Sequence, residues 1–207
     1  LHPVAITKQQ GGYLYDFGEN NAGVCRLSID GSPGQMVEME HGEYLKDGNL
    51  LLNNIQFEPD GYVQKDIYVC NGEGIETYVP SFTYHGFRYV LVEADFDVDP
   101  ADFQAVAIYS DMLTTGEFSS GVPEVNQLFR NAIWSMKGNF IDVPTDCPTR
   151  ERAGWTGDAG VFAPTAVLLA DCYPVFRKWL GACRLAQRAD GKMANIAPPN
   201  DRDNPVA

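Results

Sequence analysis

At 207 residues, with 44% hydrophobic and 12% aromatic content, the chain can bury one or two ordinary cores and is neither disordered nor fibrous. Twenty-eight acidic against fifteen basic residues leave a formal charge of -13 at pH 7, which argues against nucleic acid or an anionic membrane as partner and favours a neutral ligand. No run reaches the roughly 18 apolar residues of a spanning helix, and the opening LHPVAITKQQ lacks signal-peptide organisation, so a soluble chain is expected. Because it starts without methionine it is expected to be processed or cut from something longer, and its localisation stays open.

Up to about residue 110 the apolar period is two. Cys25, Leu27 and Ile29 alternate with Val24, Arg26 and Ser28, and Val63, Ile67 and Val69 with Gln64, Asp66 and Tyr68, as half-buried strands require. Phe87, Tyr89 and Leu91 around Arg88, and Phe103, Ala105, Ala107 and Tyr109 around Val106 and Ile108, carry apolar residues on both faces, which predicts central strands. Turn residues fill the gaps in DGSPG at 30–34, KDGN at 46–49 and NGEG at 71–74. The acidic stretch DFDVDPAD at 95–102 is a further loop signal. Many short strands joined by such turns predict an antiparallel β-sandwich.

Near residue 116 the period lengthens to that of a helix. Val125, Leu128, Phe129, Ala132, Ile133 and Met136 form one apolar stripe, on a helix that Pro123 can start from its first turn. A second helix is expected from about Asp158 to Ala170, interrupted by Pro164, and a third from about Pro174 to Arg188 with Val175, Trp179, Leu180 and Cys183 on one side. The segment TTGEFSSG, 114–121, is therefore the expected linker between a sandwich domain, 1–113, and a helical domain, 122–207.

Cys25, Cys70, Cys147, Cys172 and Cys183 form no C-x-x-C pair, and His2, His41 and His85 stand far apart, so buried free thiols and structural imidazoles are expected and no metal site. His85, in TYHGFRY beside Arg88, reads as a hydrogen-bonded structural residue. The chemistry concentrates instead in FIDVPTDCPTRERAGWTGDAG, 140–160, which packs four carboxylates, two arginines and a tryptophan into a loop broken by prolines. Such a stretch can be a solvated connector in which Asp158 only caps a helix. Carboxylates that accept from hydroxyls, arginine partners and a flat aromatic for an apolar ring face are also the parts of a site for a neutral polyhydroxylated ligand, and a carbohydrate fits best.

The stretch DCPTRERAGWTGDAGVFAPTA, 146–166, closely resembles the catalytic-loop signature of bacterial α-L-rhamnosidases of glycoside hydrolase family 78. YDFGENNAG at 15–23, GQMVEMEHGEYLKDG at 34–48 and YVPSFTYHGFRYVLVE at 78–93 look like the β-sandwich that precedes the catalytic domain in that family, so the resemblance covers nearly the whole chain. It implies an α+β, multi-domain protein: an antiparallel β-sandwich followed by the first helices of a truncated (α/α)6 barrel. It further implies inverting hydrolysis of terminal α-L-rhamnosides without a cofactor.

Carried over residue by residue, the resemblance makes Glu151 the general acid, gives Asp146, Arg150 and Asp158 the rhamnose hydroxyls, and lines the sugar pocket with Trp155. Many family members read D-C-P-x-R-D-E-R where this chain reads DCPTRER; Glu151 keeps the family's spacing to Trp155 and Asp158. An acid for an alkoxide leaving group must hold its proton near neutral pH, which neighbouring carboxylates favour and arginines oppose. Inversion also needs a second carboxylate about 6.5–9.5 Å away across the sugar. In the family that base is a glutamate on a much later barrel segment, and Asp142 or Asp158, both in the same loop as Glu151, are poor substitutes. The chain is therefore expected to be a fragment, inactive alone, whose base lies outside it. Its expected partner is a rhamnose-containing glycan or glycoside. Its stripe on the first helix would pack on the sandwich or on another copy, making a homo-oligomer. The alternative from another class is a non-catalytic carbohydrate-binding β-sandwich module.

Overall fold

Strand propensity and turn chemistry in the first half produce nine strands among the described residues, which are 1–55 and 64–199 of this computed structural model. They are β1 (Ala5–Gln9), β2 (Gly12–Asp30), β3 (Met36–Gly42), β4 (Tyr44–Lys46), β5 (Asn49–Leu51), β6 (Lys65–Val69), β7 (Ile75–Tyr78), β8 (His85–Ala94) and β9 (Phe103–Ala107). All pairings are antiparallel. The order β1-β2-β8-β3-β6 forms the main path, and the far half of β2 pairs with β9 through Gly23↔Ala107 and with β7 through Leu27↔Tyr78. The hairpin from β4 to β5 turns on Asp47 and Gly48, both at positive φ, as a two-residue turn between right-twisted strands requires.

The chain divides into two compact units, Leu1–Ile108 and Tyr109–Ala207. In the first, an antiparallel sandwich, the core gathers Tyr15, Phe17, Cys25, Leu27 and Ile29 of β2 with Val37 and Met39 of β3, Phe87, Val90 and Val92 of β8, and Phe103 and Ala105 of β9. The ladder between β2 and β8 shifts register between Asp16 and Asn21. Arg88 sits opposite that shift and binds Asp16 with both arms of its guanidinium, Nε to Oδ1 at 2.7 Å and Nη2 to Oδ2 at 2.8 Å; Asp16 Oδ1 also accepts from Gly18 N–H. A planar fork on a carboxylate fixes geometry as well as charge, so the irregularity is pinned.

β8 is central, as expected, lying between β2 and β3; across the shift its core positions run from Phe87 to Val90 and Val92, with Tyr89 and Leu91 half-buried. β6 corrects the alternation: Ile67 and Val69 are each 54% exposed, whereas Asp66 is half-buried and Tyr68 packs on the core. Val63 lies outside the described residues. Val24, expected to face outward, is fully buried because β2 is covered on both faces there. β9, expected to be central, pairs only with β2 among the described residues, and Tyr109 falls beyond it. All five cysteines are free, four buried and Cys147 half-buried. His41 and His85, far apart in sequence, lie with ring centroids 4.4 Å apart because β3 and β8 are neighbours.

The second unit contains α1 (Pro123–Asn139), a short hairpin of β10 (Phe140–Ile141) and β11 (Val143–Pro144), α2 (Thr156–Leu169) and α3 (Tyr173–Leu185). Pro123 stands in the first turn of α1, where its missing N–H costs nothing. Met136, Phe140, Ala166, Leu169, Ala170, Cys172 and Val175 form the core, and Phe129, Ala132 and Ile133 pack against it. Most of the α1 stripe is therefore covered within this unit by residues of α2 and α3, where packing on the sandwich or on another copy was expected. Its remaining members, Val125 and Leu128, are exposed, Leu128 by 67%. On α3, Val175, Trp179 and Cys183 are buried as expected, but Leu180 is exposed. Thr115 and Gly116 both donate to the Leu169 carbonyl at 3.0 Å, which ties the start of the 114–121 segment to the end of α2.

Two substitutions separate packing from pattern. A methyl group at Gly23 would overlap the Val106 carbonyl across the ladder from β2 to β9, so Gly23→Ala is expected to destabilise by about 1–3 kcal/mol. Ile67→Thr, at an exposed strand position, is expected to change stability by less than about 0.5 kcal/mol. Urea unfolding midpoints of the two variants against wild type check both.

Candidate functional site

The residues between α1 and α2 form a loop that closes on itself. Asp146 N–H donates to the Ala153 carbonyl at 3.1 Å, and Asp146 Oδ1 accepts from Ala153 N–H at 3.0 Å. Within this ring, Glu151 N–H donates to Cys147 Sγ at 3.4 Å across a turn, Thr149 is buried, and Arg152 takes a positive φ of 50°. Arg152 is half-buried, and burial lowers its guanidinium from the usual value.

The end of the loop is strapped down. Trp155 bridges to Ile196, Thr156 N–H donates to Asn195 O, and Ala197 N–H donates to Gly154 O at 2.9 Å. The buried Trp179 indole N–H donates to Ala197 O at 2.9 Å. Position 154 requires glycine, because any Cβ would run into the Ala197 carbonyl and crowd Trp179 Nε1.

A cavity of about 400 Å³ opens between the C-terminal turn of α1, the hairpin and the first turns of α2. Asn139, Thr145, Asp146, Asp158 and Phe162 line it, so polar groups converge on an apolar wall, and its size suits a small ring ligand. Asp158 is not the N-cap of α2, a place taken by Trp155 without a side-chain bond. It stands in the first turn, where its carboxylate complements the positive end of the helix.

Glu151 is exposed, and its Oε2 accepts from the Trp155 indole N–H at 2.8 Å. Of the five expected site residues, Asp146 and Asp158 thus share the cavity, Glu151 and Trp155 form a bonded pair, and Arg150 is exposed with no hydrogen bond to the other four among the described residues. Asp142 occupies the turn of the hairpin at φ 70° and pairs with Lys178.

Asn139 and Thr145 escaped the sequence reading. Thr145 N–H and Oγ1 both bond to the Asn139 carbonyl, at 2.8 and 3.1 Å, which brings the loop back over the end of α1. Only the adjacency of Thr145 to Asp146 in VPTDCP was available as a signal.

Residues 113–206 match the family model of the bacterial α-L-rhamnosidase six-hairpin glycosidase domain, and residues 6–109 match that of the bacterial α-L-rhamnosidase concanavalin-like domain. An α-L-rhamnosidase of Streptomyces avermitilis is 40% identical over 192 residues, which are 91% of this chain and 18% of that protein. One of Formosa agariphila is 35% identical over 190 residues, 89% of this chain and 20% of that protein. The crystal structure of the Streptomyces avermitilis α-L-rhamnosidase complexed with L-rhamnose superposes with a TM-score of 0.91 at 37% identity, covering 98% of this chain and 20% of that one. That of the α-L-rhamnosidase from Dictyoglumus thermophilum gives 0.89 at 32% identity, covering 96% and 23%. The chain thus spans about a fifth of the length of the curated relatives it matches.

Removing the strap's buried donor should loosen the site without touching it. Trp179→Phe leaves the Ala197 carbonyl without its indole partner and is expected to cost about 1–3 kcal/mol, read as a lower urea midpoint. Arg150→Ala, at an exposed position, is expected to stay within about 0.5 kcal/mol of wild type.

Proposed function

Because this chain belongs to the bacterial α-L-rhamnosidase family, we propose that it forms part of a glycoside hydrolase that cleaves terminal α-L-rhamnosides with inversion, and that it supplies the general acid and the sugar-binding loop. The observation that carries the reading is the loop closed at Asp146 and Ala153. It delivers Asp146 to a cavity shared with Asp158 and presents Glu151 on an exposed turn, bonded to Trp155.

In this reading Glu151 protonates the glycosidic oxygen as the bond breaks. The Trp155 indole, donating to Oε2, fixes the carboxyl's direction and leaves Oε1 to carry the proton, while its ring face covers the apolar side of the sugar. Asp146 and Asp158 accept from sugar hydroxyls inside the cavity, and the exposed Arg150 donates to another. A water attacking from the opposite face needs a base about 6.5–9.5 Å from the acid. Asp142 is occupied by Lys178 at the turn of the hairpin, and Asp158 is committed to hydroxyl binding, so that base belongs to a part of the enzyme outside these residues. The sandwich domain precedes the catalytic domain, and exposed apolar residues of α2 and α3, among them Val161, Leu168 and Leu180, are faces for its remaining helices.

Full-length enzyme with aryl and alkyl α-L-rhamnosides tests the assignment. An alkoxide needs the proton far more than p-nitrophenolate does. Glu151→Gln is therefore expected to reduce kcat/KM by about 10²–10⁴ on a methyl or sugar aglycone and by much less on p-nitrophenyl α-L-rhamnoside. Equal losses on both substrates would move the acid to another residue. The 207-residue chain alone is expected to show no useful turnover; sugar binding without turnover by the full-length protein would replace the enzyme by a binding module.

A further inference from the structure

Three neighbouring strands of the sandwich each contribute one donor side chain to a common interior point: His41 on β3, Asp66 on β6 and His85 on β8. The two imidazoles are 0% and 3% exposed. His85 Nε2 is 3.1 Å from both oxygens of Asp66. Burial opposes ionisation of Asp66, but the hydrogen bond from His85 and the adjoining imidazoles hold its carboxyl below the usual range.

His41 is the group the sandwich leaves unexplained. Its Nδ1 lies 3.1 Å from the Gln64 carbonyl, a contact only an N–H can satisfy, so the neutral ring keeps its proton there and Nε2 is a bare lone pair. Burial first, and the neighbouring His85 second, push this imidazole below its usual value. Nε2 is buried with no hydrogen-bond partner among the described residues and stands 4.0 Å from Asp66 Oδ2, which has no proton to offer when ionised. His41 Nε2 and Asp66 Oδ2 thus face each other as acceptors; the carboxylate is served by His85 Nε2–H, a proton that an ion taken up here displaces, and no donor among the described residues reaches His41 Nε2.

A cation resolves that opposition. An imidazole whose Nδ1–H is tied to a backbone carbonyl while Nε2 stays free is the form in which histidine is presented to a metal ion. Two imidazoles and a carboxylate suit zinc and its first-row neighbours better than magnesium or calcium, which prefer oxygen. The three donor atoms lie within 4.8 Å of one another, so displacements below about 1 Å bring each to the roughly 2.0–2.2 Å of zinc ligation. The backbones are already braced: buried Gln64 donates to the His41 and Gly86 carbonyls at 3.2 and 2.8 Å and accepts from Gly86 N–H at 2.8 Å.

We propose that His41, Asp66 and His85 form a binding site for a divalent transition ion of the zinc type, with water completing the coordination, which clamps β3, β6 and β8 together. The site is structural, and its test does not depend on the catalytic assignment. Full-length protein stripped by a chelator is titrated with Zn²⁺ and with Co²⁺, beside Asp66→Asn and His41→Gln variants. Wild type is expected to bind one equivalent more than either variant, or to bind it at least about 10-fold more tightly, and to melt at a higher temperature with Zn²⁺ than with chelator. Co²⁺ bound there should show ligand-field bands without the thiolate charge-transfer band that a site at Cys147 would give. Asp66→Asn keeps the size of a partly exposed side chain, so it decides the matter if His41→Gln does not fold. Equal stoichiometry and affinity in wild type and Asp66→Asn, no binding by wild type, or a thiolate band would each overturn the proposal, leaving a His85–Asp66 hydrogen bond beside His41.

Discussion

A loop that carries polar functional side chains has to satisfy its own backbone first, because buried N–H and C=O groups without partners cost as much as the contacts they displace. In this protein the Asp146 backbone and carboxylate together engage Ala153 and turn the intervening residues into a closed ring. Everything at the candidate site follows from that closure. It places Asp146 on the cavity, sets Glu151 four residues ahead of the Trp155 indole that bonds it, and delivers the chain to the first turn of α2, where Asp158 stands. The strap of residues 194–197, held by Gly154 and Trp179, secures the exit of the same ring.

The sandwich solves a different problem. A 19-residue strand such as β2 cannot stay in regular register with every neighbour, and the mismatch is concentrated opposite Arg88. The guanidinium and the Asp16 carboxylate hold that irregularity with two short charge-assisted bonds, so that Phe17 and Phe87 meet edge to face at 6.0 Å on one side of it. The interior is not wholly apolar. Gln64, His41 and His85 are buried among the aromatics, and the unpaired nitrogens of the two imidazoles mark where hydrogen bonding alone leaves the core unsatisfied.

The helical unit joins a formed core to unfilled faces. Phe140 packs edge-on against Phe162 and Phe176, linking the hairpin to both later helices. Val161, Leu168 and Leu180 meanwhile remain in solvent. α2 is apolar nearly all round, a composition suited to a helix buried by neighbours on several sides. This agrees with a chain that spans about a fifth of its curated relatives and matches the opening of their six-hairpin domain.

Much of this was legible in the residues because it is local. Alternation located the strands, the spacing from Val125 to Met136 located α1, KDGN marked its hairpin, and the 146–166 signature pointed to the family. What alternation could not supply was facing and company. Ile67 and Val69 look inward by hydropathy, yet Asp66 and Tyr68 turn in, because Asp66 meets His85 of β8 beside His41 of β3 and the Tyr68 ring packs on the sandwich core. Leu128 and Leu180 fit their stripes, but only the neighbouring helices decide which part of a stripe is covered. The meeting of His41 with His85 and the return of Thr145 over Asn139 likewise join residues through the path of the chain in space. The sequence by itself determined the elements and the family, since period and motif act over a few residues; only the tertiary structure decided the bulge, the cavity and the buried polar cluster, since each is a balance between groups brought together from distant positions.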